Sequence, residues 1–136
     1  MSSYRRYPRS DFGSGDAVAK YLGDQQAAIM GILWQRGEAT VREVLEELAG
    51  GVAYTTVMTM MVRLHERGLL SREPAGRGFR YRPTGTREDF LAELAGSLID
   101  RLVNDFGDAA LTRIVEQAER LSPAELEALR RRIADG

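Results

Sequence analysis

The stretch that decides the fold covers residues 53–83 and reads AYTTVMTMMVRLHERGLLSREPAGRGFRYRP. Apolar side chains recur in its first half with the i, i+3, i+4, i+7 spacing of a helix that lies on a core. They are Val57, Met60, Met61 and Leu64. Gly68 follows, and a glycine in this position indicates the end of the helix. Residues 69–75 and 79–82 then predict two strands, joined by a turn at residues 76–78.

The opposite face of the same helix is polar. It carries three hydroxyls and a guanidinium, from Thr55, Thr56, Thr59 and Arg63. A helix with such a face, followed by a hairpin that carries arginines, is the layout of a winged helix-turn-helix. Threonine hydroxyls can donate to phosphate, threonine methyls can pack on thymine, and arginine matches the guanine edge. The pattern therefore favours DNA binding.

Charge is unevenly distributed along the chain, although the total is only −1. Residues 54–82 contain six arginines and two glutamates, for a net charge of +4. Residues 83–136 contain seven arginines and eleven carboxylates, for a net charge of −4. The basic part coincides with the predicted helix and hairpin, so the distribution supports a nucleic-acid partner that the total charge would argue against.

Composition sets outer limits. A chain of 136 residues predicts one domain, or one domain with a helical appendage. The absence of cysteine excludes disulfides and thiolate metal sites and indicates a reducing cytoplasm. No apolar run approaches the ~20 residues that span a bilayer. The N-terminal arginines are not followed by the hydrophobic region of a secretory signal peptide, so no such signal is expected. We therefore expect a cytoplasmic protein without membrane association, metal or cofactor.

The chain is predicted to have three parts. Residues 1–20 lack periodicity and predict a flexible N-terminal arm. Residues 21–83 predict the winged-helix DNA-binding domain, which starts with a helix over 22–36 that is capped at Gly23 or Asp24, buries Trp34 and ends at Gly37. A capping box of Thr40 and Glu43 opens a second helix, which runs to about residue 49. Residues 84–136 predict a helical dimerisation domain, with 84–86 as a linker.

The predicted dimerisation domain contains three amphipathic helices. The apolar band on the first is wider than a small domain requires, so part of it is expected to contact a partner. The predicted dimerisation residues are Phe90, Leu91, Leu94, Leu98, Ile99, Leu102, Phe106, Leu111, Ile114 and Val115. The predicted fold class is thus mainly α with a small β-hairpin, a winged helix-turn-helix domain plus a C-terminal helical dimerisation module.

Several motifs, in this order and spacing, resemble the penicillinase and methicillin-resistance repressor family of BlaI and MecI type. They are Leu33-Trp34, Gly37, Thr40-Val41-Arg42-Glu43-Val44, Ala53-Tyr54-Thr55-Thr56-Val57-Met58-Thr59, Arg63-Leu64, Gly68-Leu69-Leu70 and Tyr81-Arg82-Pro83. The likeness covers residues 22–136. Members of the family are homodimeric winged-helix repressors that bind palindromic operators. The resemblance therefore implies transcriptional repression, with double-stranded operator DNA and a second copy of the chain as partners.

The resemblance also implies roles for single residues. It places the recognition helix at residues 54–67, with its threonines and Arg63 facing the major groove and the wing residues Arg77 and Arg80 reaching the backbone or minor groove. For Tyr54, a phosphate contact and packing at the helix start are both open, as are a base contact and simple exposure for Met58. The predicted DNA-binding residues are Tyr54, Thr55, Thr56, Met58, Thr59, Arg63, Arg77 and Arg80.

Two departures from the family bear on induction. Copper-responsive relatives carry a cysteine cluster near the C-terminus, which this chain lacks. Antibiotic-responsive members are cleaved at an Asn-Phe bond after a sensor protease is triggered. The corresponding region, residues 112–114, lacks that pair, and Asp105 separates Asn104 from Phe106. The sequence therefore argues against a sensor protease as a partner.

Two other classes of function compete with DNA binding. An enzyme is not expected, because a Ser-His-Asp site would have to use His65, the only histidine, which lies on the predicted DNA-reading helix. The alternative is a winged-helix protein–protein interaction module without DNA readout. In such a module, the outer face of the third helix should be apolar or acidic. In this chain that face carries threonines and an arginine, which favours DNA binding.

Overall fold

The computed structural model describes residues 14–135, and within this range it is mainly helical with a small antiparallel sheet. The predicted fold class, a winged helix with further C-terminal helices, is confirmed. The elements are α1 Ser14–Leu22, α2 Asp24–Arg36, β1 Ala39–Thr40, α3 Val41–Glu47, α4 Tyr54–Glu66, β2 Leu70–Ala75, β3 Gly78–Pro83, α5 Arg87–Phe106, α6 Asp108–Glu119 and α7 Pro123–Asp135. None of the helices between residues 14 and 135 combines the length and the apolar character that crossing a bilayer requires.

Helix α1 corrects the predicted N-terminal arm. The arm was expected to extend to residue 20, but Ser14–Leu22 is helical, and Val18 and Leu22 are buried in the core. The rest of the predicted arm, residues 1–13, lies outside the described residues. The sequence missed α1 because two buried positions four residues apart are too few to establish a helical period.

Gly23 separates α1 from α2. Its φ of 89° and ψ of 156° fall in a region that is essentially restricted to glycine. Because the backbone turns there, α2 begins at Asp24 and not at Leu22 as predicted. Gly37 ends α2 as predicted, with its N–H donating to the Leu33 carbonyl at 2.8 Å.

The predicted capping box is present at the start of α3. The Glu43 N–H donates to Thr40 Oγ1 at 3.2 Å, and the Thr40 N–H donates to Glu43 Oε1 at 2.9 Å. This reciprocal pair satisfies two amide groups that a helix start otherwise leaves without partners. Helix α3 ends at Glu47, two residues before its predicted end.

Helix α4 matches the helix predicted from the opening stretch. Val57, Met61 and Leu64 are fully buried, and Met60 is partly buried against the same core. The alignment of these side chains fixes which face of α4 is turned outward. The threonines and Arg63 therefore lie on the side away from the core.

The C-terminus of α4 forms a Schellman motif around Gly68. The Gly68 N–H donates to the His65 carbonyl, and the Leu69 N–H donates to the Leu64 carbonyl, both at 3.0 Å. Gly68 adopts a φ of 85°, which other residues rarely reach. The motif turns the chain directly from α4 into strand β2.

The sheet has three antiparallel strands in the order β1-β3-β2. Arg72 lies opposite Tyr81, and Glu73 lies opposite Arg80. Because directly opposed residues share a face, Arg72 and Tyr81 lie on one side of the hairpin and Glu73 and Arg80 on the other. The sequence predicted the hairpin but not β1, whose two residues are too few to show an alternating pattern.

One hydrophobic core is shared by the four helices α1, α2, α3 and α4 and by the sheet. Its buried members are Val18, Leu22, Ile29, Met30, Leu33, Ala39, Val41, Val44, Val57, Met61, Leu64, Leu70 and Tyr81. Trp34 packs on this core as predicted and is partly buried. Since every element of the winged helix contributes, α4 and the hairpin are held by the same set of contacts.

The chain divides into two compact units between Glu93 and Leu94, inside α5. Residues 84–91 lie with the first unit: Trp34 Nε1 donates to the Gly85 carbonyl at 3.0 Å, and Phe90 and Leu91 pack on the first core. The predicted linker is therefore held in place on the winged helix. The domain boundary predicted after residue 83 stays a prediction.

The second unit comprises the remainder of α5 with α6 and α7. Within residues 94–135, no side chain is buried. Several large apolar side chains are strongly exposed instead, including Phe106 at 62% and Val115 at 54%. One copy of this unit therefore has no closed hydrophobic core of its own.

Candidate nucleic-acid interface

The outer face of α4 presents the polar side chains that the sequence singled out. Thr55, Thr59 and Arg63 are exposed, and Thr56 is half-buried. Together with Met60, they line one shallow groove along the helix. The structure thus brings the four predicted residues of this face into one continuous surface.

Tyr54 and Met58 lie at the edge of α4 and are 41% and 40% exposed. The Arg42 guanidinium, from the first turn of α3, stands 5.3 Å from the centroid of the Tyr54 ring. This distance is within the range of a cation–π contact. The Tyr54 ring therefore packs beside Arg42 at the start of α4, and a phosphate contact for Tyr54 stays a prediction.

A second groove lies between α4, the start of α3 and the hairpin, and we call it the wing groove. Its charged and aromatic members are Arg42, Tyr54, Arg72, Arg77, Phe79 and Tyr81. It contains three arginines and no carboxylate. Arg77, in the hairpin turn, was predicted as a wing contact, whereas the sequence did not single out Arg42 and Arg72.

The structure places Arg80 differently from Arg77. Arg80 lies on the opposite face of the hairpin, where its Nη1 is 3.1 Å from Glu43 Oε1. Its neighbour Arg82 is also paired, at 2.7 Å from Glu38 and 3.8 Å from Glu73. The DNA contact for Arg80 was implied by the resemblance to the family and stays a prediction, although Arg80 pairs with Glu43 in this structure.

Glu43 connects α2, α3 and the hairpin. Its Oε1 accepts from the Thr40 N–H and from Arg80, and Arg36 Nη2 lies at 3.6 Å. The pKa of the Glu43 carboxyl lies below its ordinary value, mainly because the carboxylate accepts a hydrogen bond from the Thr40 backbone. The hydrogen bond from Arg80 and the positive charges of Arg80 and Arg36 lower the pKa further. Partial desolvation of the carboxylate acts in the opposite direction and raises it. Glu43 therefore stays ionised and ties the hairpin to the helix-turn-helix.

Arg36 extends this network along α3. Its Nη1 donates to Glu47 Oε2 at 2.5 Å, and this hydrogen bond is the main cause of the raised pKa of Arg36. Arg36 thus links the end of α2 to α3. On the hairpin, Arg80 and Arg82 pair with glutamates, whereas Arg72 lies opposite Tyr81 in the wing groove.

The sequence did not reveal Arg42 and Arg72, for different reasons. In the sequence, Arg42 was named only within the motif of residues 40–44. Its position between the apolar Val41 and Val44 nevertheless indicates that its side chain points away from the core. The position of Arg72 depends on strand register: it lies opposite Tyr81 and therefore shares the face that covers α4. If Tyr81 had been taken as the buried residue of β3, strand alternation and the hairpin register would have placed Arg72 on the same face as Tyr81.

The predicted dimerisation residues fall into two groups. Phe90 and Leu91 pack on the core of the first unit. The others, between residues 94 and 115, lie on the second unit, where none is buried. The most exposed of these are Ile99, Leu102, Phe106, Leu111, Ile114 and Val115.

Comparisons with known proteins agree with this architecture. The sequence profile of the penicillinase repressor family matches residues 22–135. The transcriptional regulator BlaI of Mycobacterium tuberculosis is 40% identical over 121 residues, which cover 84% of this chain and 83% of that protein. The penicillinase repressor of Bacillus licheniformis is 26% identical over 110 residues, which cover 79% of this chain and 85% of that protein.

A solved structure is also similar. The solution structure of the DNA-binding domain of the repressor BlaI has 29% sequence identity and a TM-score of 0.43, and it covers 47% of this chain and 80% of its own. The profile match over 22–135 and the 40% identity to a relative do not depend on that structural similarity. On those two findings, the chain belongs to the penicillinase repressor family.

Proposed function

We propose that the protein is a DNA-binding transcriptional repressor that acts as a homodimer on a palindromic operator. The observation that carries DNA binding is the exposed face of α4, where threonine hydroxyls and the Arg63 guanidinium form one polar surface. Hydroxyl, methyl and guanidinium groups are the side-chain groups that read base edges in the major groove. The names of the relatives, a penicillinase repressor and a transcriptional regulator, support the same function.

In the proposed complex, α4 lies in the major groove. Arg63 forms a bidentate contact with one guanine, because its guanidinium matches the O6 and N7 acceptors. Thr55 and Thr59 contact phosphates or thymine methyls from the two preceding turns of the helix. Arg77, at the exposed tip of the hairpin, contacts the sugar-phosphate backbone beside the groove.

The second unit supports a homodimer. Residues 94–135 bury no side chain within one chain, although they carry a row of large apolar residues. A segment that buries so little apolar surface cannot offset the entropy of ordering its helices. A second copy of the same chain offers an identical apolar surface, and a two-fold axis makes such a pair self-complementary.

Two-fold symmetry then sets the form of the operator. Two recognition helices related by a two-fold axis require two half-sites of inverted sequence, at a spacing set by the dimer. A dimer that covers a promoter excludes polymerase, which is the proposed mechanism of repression. The proposed location is the cytoplasm, the compartment where an operator is accessible.

Selection of bound fragments from the source genome tests this function. The purified protein is incubated with sheared genomic DNA at low salt, and bound fragments are recovered and sequenced. We expect an inverted repeat shared by fragments that lie upstream of genes. Recovery of random fragments, or of none, contradicts sequence-specific repression and favours the protein–protein module.

A further inference from the structure

The wing groove carries an arrangement of arginines that the readout by α4 does not use. Within the described residues, no carboxylate lies within 4.0 Å of the Arg42, Arg72 or Arg77 guanidinium. Arg80 and Arg82, on the other face of the same hairpin, both pair with glutamates. The hairpin therefore has a neutralised face and a positively charged face, and the charged face lines the wing groove.

Arg72 is held in a defined orientation. Its guanidinium carbon lies 4.0 Å from the centroid of the Phe79 ring and 5.9 Å from that of Tyr81, and its Nη1 donates to the Tyr81 hydroxyl at 3.2 Å. Stacking on an aromatic face leaves the edges of a guanidinium available for hydrogen bonds. A stacked arginine also loses less conformational freedom when it binds a ligand than a free side chain does.

Arg42, on α3, also lines the wing groove and also stands beside an aromatic ring. Its guanidinium stands 5.3 Å from the Tyr54 ring, and both side chains are exposed. Two arginines, each oriented by an aromatic ring, thus face the wing groove from α3 and from β2. Guanidinium groups with free edges are the protein groups best suited to phosphate oxygens.

The position of the wing groove identifies the ligand. Tyr54 and Met58, which line it, are one turn or less from Thr55 and Thr59 on the same helix. A duplex read by the threonine face must therefore pass one of its strands beside Tyr54. A phosphodiester strand presents regularly spaced anions, which suits a groove lined by arginines from α3 and from the hairpin better than a single small anion does.

We infer that the wing groove holds one phosphodiester strand of the operator, with Arg42 and Arg72 as phosphate ligands. This inference rests on the proposed function and adds two binding residues to it. Both contribute affinity that is independent of base sequence, because phosphates are the same at every position. They differ in this from Arg63, which is proposed to discriminate between bases.

The test uses the full-length protein, a labelled duplex that carries the selected inverted repeat, and a scrambled duplex of equal length. The dissociation constant is measured by fluorescence anisotropy from about 50 to 200 mM salt, the range over which phosphate contacts dominate the change in affinity. The variant is Arg42→Gln with Arg72→Gln, because glutamine keeps a donor for Tyr81 while it removes the charge. Arg82→Gln, on the paired face of the hairpin, is the matched control.

Because the proposed dimer carries two copies of each arginine, the double variant should reduce the magnitude of the log–log salt slope by roughly 3.6, about 0.9 for each of the four phosphates that the dimer no longer neutralises. Affinity for the operator and for the scrambled duplex should fall by the same factor, and the control should keep the slope of the parent protein. Circular dichroism melting of each variant checks that the winged helix is folded. A folded Arg42→Gln variant tested alone, with an expected slope change of about 1.8 for the two phosphates that the dimer no longer neutralises, covers the case in which Arg72→Gln disturbs the hairpin.

Three outcomes would overturn the inference. If the folded variants keep the salt slope of the parent, and the parent binds the operator normally, Arg42 and Arg72 are not phosphate ligands. The proposed repressor function would still stand in that case. A reduction in affinity confined to the operator assigns the arginines to base readout instead. A parent protein that binds neither duplex at low salt removes both the proposed function and this inference.

Discussion

At the scale of single residues, the molecule separates two kinds of arginine. Arg36, Arg80 and Arg82 are paired with glutamates and hold elements of the winged helix together. Arg63 on α4 is exposed and lies among threonines. Replacement of an arginine should therefore affect either stability or binding, depending on the face from which it projects.

Arg63→Ala should weaken operator binding by about 1–3 kcal/mol for each half-site and relax discrimination at one base pair in each half-site, because alanine cannot donate the two hydrogen bonds to guanine. The measurement is anisotropy with the operator and with single-base variants of it. Arg67→Ala, just after the last turn of the same helix, serves as the control. Equal reductions in affinity for operator and scrambled DNA would instead assign Arg63 to a phosphate.

Glu43 gives a prediction about pH. Since its pKa in the folded protein lies below the ordinary value of 4.5, its contribution to stability is complete above that value and is lost as pH falls through the lowered pKa. Glu43→Gln should therefore flatten the acid side of the stability profile relative to the parent. Thermal melts between neutral and strongly acidic pH measure this, with Glu46→Gln on the same helix as control. Parallel profiles for parent and Glu43→Gln would contradict the role of this carboxylate.

At the scale of elements, two glycines near or within α2 have opposite roles. Gly23 occupies a backbone region that is strained for other residues, whereas Gly31 lies within the helix and has no positive φ. An added Cβ would find no atom within 4 Å at either position. Space is therefore equal at the two sites, and only the backbone conformation differs.

Gly23→Ala should destabilise the protein by about 1–3 kcal/mol, because alanine must adopt the strained conformation or α1 must move off the core. Gly31→Ala should stabilise it by about 0.5–1 kcal/mol, because alanine has the higher helix propensity. Urea denaturation of both variants measures the difference. Effects of the same sign would argue against the break between α1 and α2.

At the scale of the whole molecule, the two units differ in how they bury apolar surface. Residues of the first unit form a closed core, whereas no side chain between residues 94 and 135 is buried within one chain. The proposed dimer resolves this difference, because the second unit would complete its core against its copy. Folding of this part should then depend on protein concentration.

Leu102→Asp should convert the proposed dimer to monomers and weaken operator binding. Leu102 is 46% exposed in one chain, so a charge there is tolerated in the monomer but is buried at the proposed interface. Sedimentation equilibrium measures the change. Asn104→Asp introduces the same charge on the polar side of α5 and should leave the dimer intact. A Leu102→Asp variant that sediments as the parent does would exclude this surface.

Much of this protein was determined by local sequence signals. The apolar spacing in α4, the glycine after it and the Thr40–Glu43 capping box each specify a local structure through contacts between near neighbours in the chain, and each was predicted correctly. The threonine and arginine face followed directly, because the buried side of a helix defines the exposed side.

Only the tertiary structure decided which arginines pair with glutamates and which line the wing groove. Arg72 and Arg80 are both on the hairpin, and the sequence favoured Arg80, yet strand register puts Arg72 in the wing groove and Arg80 against Glu43. Helix α1 and strand β1 likewise exist because the core and β3 hold them, not because their own few residues specify them. Local periodicity reports which side of an element is buried, but pairing between distant segments decides what that element faces.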